Sequence, residues 1–165
     1  MQLDHIFEDL EAQFDAELSA SQPNSILDAC NLIRVRRADG QMSELILPLL
    51  GVDFVAGMRI GFNDFQLLRL ASASTLEFHR LKQLDLPTLK LTGINAGKFI
   101  RRLPVDLQVR WNSSGSSTLK RGTLVEVIGE LLIFEVLGLE HPQGVPISAI
   151  EELLVGSVDN FSETD

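Results

Sequence analysis

The sequence predicts a mainly β protein. An N-terminal amphipathic helix is followed by two repeated small barrels joined by a short helix-containing linker. Three observations lead there. Beyond residue 25 the apolar residues fall into short runs of strand length, separated by Gly, Asn, Asp, Ser and Pro. One stretch of that pattern matches a second when Gly51 is laid on Gly129. A chain of 165 residues is long enough for one domain or two very small units sharing a core.

At the N-terminus, Leu3, Ile6, Phe7, Leu10, Phe14 and Leu18 recur at helical spacing, which predicts a helix over 3–19. Asp4, Glu8, Glu11 and Asp15 take its wet side. Leu3, Phe7, Leu10 and Phe14 form an apolar stripe, a candidate association surface for the chain's own barrel or for a second copy. Ser19–Ser25, with Pro23 and Asn24, reads as a break.

The first unit, 26–82, opens with the alternating strand Leu32–Arg37, which runs into the hairpin signal Ala38-Asp39-Gly40. Leu45–Leu50 and Val52–Met58 flank Gly51, and Phe65–Leu70 follows the turn Gly61-Phe62-Asn63-Asp64. The linker, 83–104, holds Asn95-Ala96-Gly97-Lys98-Phe99-Ile100-Arg101-Arg102, an Asn-capped short helix stopped before Pro104. In the second unit, 105–156, the strands are Val105–Trp111, Leu119–Ile128, Glu130–Leu137 and Val145–Ile150. Each unit thus reads as four strands. Gly51 and Gly129 are expected to be turn glycines, since no helix follows either one. The remainder, 157–165, is an acidic tail.

The repeat is carried by apolar positions. Leu45-Ile46-Leu47 lies over Thr123-Leu124-Val125, Ile33-Arg34-Val35-Arg36 over Leu107-Gln108-Val109-Arg110, and Leu68-Arg69-Leu70 over Val145-Pro146-Ile147. Together with the helix Phe7-Glu8-Asp9-Leu10-Glu11-Ala12-Gln13 and the ending Val145-Pro146-Ile147-Ser148-Ala149-Ile150, this order resembles uncharacterised actinobacterial proteins. Those carry tandem Sm-like, SH3-type barrels behind an N-terminal helix. Arg121-Gly122-Thr123-Leu124 resembles the first conserved block of Sm proteins. In that family an Asp and an Asn in the following turn bind RNA. The turns here read Leu50-Gly51-Val52-Asp53 and Ile128-Gly129-Glu130-Leu131, so the resemblance implies the fold without the uridine site.

Charge is arranged unevenly. The sum of 14 Lys+Arg and 23 Asp+Glu is −9, yet residues 1–30 and 126–165 contain only acids, and every base lies in 31–125. The total therefore does not dismiss a polyanion partner. Arg34, Arg36 and Arg37 on the first strand, Lys98, Arg101 and Arg102 on the linker helix, and Lys120 and Arg121 are candidate phosphate contacts. Trp111 is the candidate base-stacking aromatic. Alternation with Val35 places Arg34 and Arg36 on a wet face in any case.

Catalytic and metal chemistry find little to stand on. His5, Cys30, His79 and His141 are scattered singly, without the paired spacing of a zinc site, so no metal and no cofactor are expected. Cys30 has no sequence-adjacent base and reads as an inert thiol. Glu151 and Glu152 read as solvated acids after the last strand. No phosphate-loop, dinucleotide or hydrolase-elbow motif occurs. No apolar run reaches bilayer length, no signal peptide is seen, and one cysteine requires no oxidising compartment, so a cytoplasmic location is expected. The function expected is a non-enzymatic binding or scaffolding module with a protein partner or a second copy. Single-stranded RNA or DNA binding is the alternative.

Overall fold

In a computed structural model that describes residues 29–82, 87–113, 116 and 118–156, the chain is mainly β. The helix expected over 3–19, with its association stripe, and the acidic tail from residue 157 lie outside the described residues.

Among the described residues, eleven strands share one sheet. The first block comprises β1 (Leu32–Arg37), β2 (Met42–Leu50), β3 (Phe54–Arg59), β4 (Asp64–Arg69) and β5 (Ala73–His79). A two-residue strand β6 (Leu89–Lys90) and one helix, α1 (Ala96–Arg101), follow. The second block comprises β7 (Gln108–Ser113), β8 (Lys120–Ile128), β9 (Leu131–Val136), β10 (Gln143–Pro146) and β11 (Ile150–Gly156). The strand order is β10-β9-β8-β7-β11-β4-β3-β2-β1-β5, with β6 beside β2. All pairings are antiparallel except β2–β6.

Each block therefore has five strands, where the sequence reading gave four. In both, a 3-10 turn (Leu70–Ser72, Ile147–Ala149) links the fourth strand to a fifth that pairs with the first. The fifth strands escape the alternation rule for opposite reasons. No residue of β5 is fully buried, whereas Leu153, Leu154 and Val155 of β11 are all buried where that strand lies between β7 and β4. The expected strand Val145–Ile150 is accordingly the end of β10, the turn and the first residue of β11.

Two side-chain clusters fill the interior. Ile33, Val35, Leu45, Val55 and Leu68 pack together, with Leu70, Ala73 and Leu76 against them. These residues come from β1, β2, β3 and β4, with the β4–β5 connection and β5 packed against them. The larger cluster joins Phe54 and Phe65 of the first block to Phe99 of α1 and to Trp111, Phe134 and Leu153 of the second. Trp111 stacks on Phe134 with ring centroids 4.0 Å apart, and Phe99 lies 5.2 Å from Phe54 and 5.9 Å from Phe65.

Local chemistry explains the irregular points. β2 bulges between Ile46 and Leu49, where Leu47 takes φ +50 and Pro48 has no N–H to leave unpaired. Gly129 is the expected turn glycine, at φ +56 between β8 and β9. Gly51 also sits at a turn but serves a different end: a Cβ there would enter the Phe54 ring. α1 begins as the sequence predicts, with the Asn95 side chain accepting a hydrogen bond from Lys98 N at 2.7 Å.

Candidate functional site

The junction of the two blocks is the most polar part of the interior. β4 and β11 pair from Asp64↔Gly156 to Leu68↔Glu152, and β11 pairs with β7 on its other edge. Strand alternation places Asp64 and Gln66 of β4, Glu152 of β11, Arg110 and Asn112 of β7, and Arg59 of β3 around one open groove of about 1270 Å³. Arg37 enters from the end of β1, continuing the buried row Ile33, Val35.

Two ion-paired groups form the floor. Arg59 donates to Asp64 through both Nε (2.7 Å) and Nη2 (2.5 Å), and Arg110 Nη2 adds a third contact at 3.3 Å. The Asp64 side chain is 3% exposed, so these guanidiniums supply the compensation a buried carboxylate requires. Arg59 also lies over the Phe62 ring, 4.0 Å from its centroid. In the second group Arg37 Nη2 donates to Glu152 Oε1 at 3.0 Å, and Gln66 Nε2 donates to Glu152 Oε2 at 2.7 Å. Burial draws the Arg110 guanidinium below its ordinary pKa, while Asp64 opposes that shift and the neighbouring Arg59 and Arg121 add to it. An arginine retains its proton under such influences.

Two buried acceptors on the groove are left over. Gln66 is 1% exposed and its Nε2 is committed to Glu152, which leaves Oε1 without a partner. Asn112 is 8% exposed and its Oδ1 is likewise unpaired. Both oxygens are closed to solvent and have no hydrogen-bond partner among the described residues, a costly state for a carbonyl oxygen.

The candidate polyanion residues are not brought together as free cations. Arg34 is held by Glu44 (2.9 Å) and Glu77 (3.7 Å), Arg37 by Glu152, and Arg101 by Glu130 (3.0 Å). Arg36 and Lys120 are exposed, while Lys98, Arg102 and Arg121 are partly buried. Trp111 is fully buried against Phe134 and offers no face to a base, because a side chain pointing inward from β7 meets the second block's core. Asp53, the one aspartate in the turns compared with Sm proteins, accepts from Ala96 N at 2.6 Å and lies 3.5 Å from Arg69. It anchors the start of α1.

Glu152 corrects the sequence reading most sharply. It was expected to be solvated, yet it is 4% exposed and ion-paired. Gln66, Arg59 and Arg110 were missed because each alternates with apolar neighbours, as residues on a wet strand face do, and Asp64 because it reads as the last residue of a turn. The one available signal was Glu152 followed directly by Leu153-Leu154-Val155, an acid inside a strand buried on both faces. Cys30 is half-buried, His79 bonds Glu77 at 3.1 Å, and no cluster able to hold a metal occurs among the described residues. No described helix is long and apolar enough to cross a membrane. In comparisons with known proteins, no family model and no curated protein matches the chain.

Proposed function

We propose that this protein is a non-enzymatic scaffolding module: two Sm-like small barrels, fused through their sheets, that associate with further copies by strand pairing. One observation carries the reading. Within the chain, the fourth strand of the first block pairs with the fifth strand of the second over five residues, Asp64–Leu68 against Glu152–Gly156. The complementary pair, the fourth strand of the second block (β10) and the fifth of the first (β5), ends the strand order on either side. A second copy offering β5 to β10 would repeat the same head-to-tail contact, which closes into a ring or continues as a filament according to the rotation per copy. Both edges are unpaired among the described residues, and edges of this kind are the usual sites of strand addition.

A single-stranded RNA or DNA partner draws less support, because Arg34, Arg37 and Arg101 already hold carboxylates and Trp111 is buried. Light scattering over a range of concentrations tests the scaffold reading. The expected result is a mass that rises above the 18.3 kDa of one chain. Hydrogen exchange is expected to show 73–79 and 143–146 gaining protection together as the assembly forms. A strict monomer, or an assembly that protects other segments only, would overturn the reading.

A further inference from the structure

We propose that the groove at the junction of the two blocks is a docking site for an extended basic, partly apolar peptide segment of a partner protein. The inference does not depend on self-association. Two independent features of the groove converge on that chemistry.

The first is charge. The lining holds five carboxylates, Asp39, Glu44, Asp64, Glu151 and Glu152, against the three guanidiniums of Arg37, Arg59 and Arg110. All three guanidiniums pair with Asp64 or Glu152, and Glu44 pairs with Arg34 outside the groove. Asp39 and Glu151 form no ion pair among the described residues, so the net field favours a cation and repels phosphate.

The second is the rim. Of the ten large apolar side chains exposed among the described residues, four line this groove: Met42 at 45%, Ile60 at 43%, Phe62 at 60% and Leu119 at 38%. Such clustering marks an interaction surface. It also separates a peptide from a simple polyamine, which would have no use for apolar contacts beyond its methylenes.

Calorimetry on the full chain at low salt tests the proposal. The probes are the amidated octapeptide Lys-Leu-Lys-Ser-Lys-Leu-Lys-Ser, its counterpart with Glu in place of Lys, and spermine. The lysine peptide is expected to bind and the glutamate peptide not to bind. Asp39→Lys with Glu151→Lys should weaken the lysine peptide at least about tenfold. Glu126→Lys with Glu135→Lys changes the net charge equally at exposed positions away from the groove. That variant should alter affinity by no more than about twofold. Phe62→Ser should weaken the peptide about threefold or more and leave any spermine binding unchanged. Equal weakening by the two charge-reversed variants would show a whole-molecule field and overturn the site. So would absence of binding by the lysine peptide. Spermine binding as tightly as the peptide, with Phe62→Ser without effect on either, would overturn the peptide assignment.

Discussion

Asp64 shows how much one side chain can carry. It neutralises Arg59 and Arg110 in a setting where it is 3% exposed, and its strand, β4, is also the one that meets the second block. Asp64→Ala would leave two partly buried guanidiniums without their counter-charge. We expect a loss of about 3–5 kcal/mol in urea unfolding. Removing an exposed partner should matter far less: Glu130→Ala, which frees Arg101 at the surface, is expected to cost under about 1 kcal/mol. The contrast follows from desolvation, since the two ion pairs differ little in length but greatly in access to water. Asp64 and Glu130 each read in the sequence as an acid beside a turn, and nothing in the residue itself separates them.

At the level of elements, local signals were strongest where a single residue fixes backbone geometry. Asn95 was legible as a helix cap and is one; Asn95→Ala should destabilise the protein by about 1 kcal/mol, measured by thermal unfolding, without changing the sheet. Gly129 was legible as a turn residue, and with φ at +56 and open space around its Cβ position, Gly129→Ala is expected to cost about 1–2 kcal/mol through backbone conformation alone. β1 was found at its observed bounds because Val35 alternates with arginines and Ala38-Asp39-Gly40 ends the strand. The fifth strands were not found. β5 is half-solvated throughout, and β11 carries Glu151 and Glu152 directly after its first residue, the burial of Glu152 depending on strands far away in sequence. Alternation is a record of one wet and one dry face, so it fails at an open edge and again where both faces are covered.

At the level of the whole molecule, the β4–β11 pairing and the cluster around Phe99 join both blocks into one body. They should unfold together. Trp111, the single tryptophan, reports on the second block, and far-ultraviolet dichroism reports on all strands, so the two probes are expected to give one coincident urea transition. Separated midpoints would show that the blocks are independent. The net charge of −9 acquires a location at this scale: the groove between the blocks gathers more carboxylate than guanidinium, although every guanidinium in it comes from the basic middle of the chain. What the sequence by itself determined was the mainly β class, the short capped helix and the turn at Gly129, because each follows from the chemistry of neighbouring residues. The tertiary structure alone decided that β11 lies between the blocks and that Glu152 and Asp64 are buried with arginines. Those facts depend on partners as many as 115 positions apart, as in the Arg37–Glu152 pair, and local pattern holds no record of such distances.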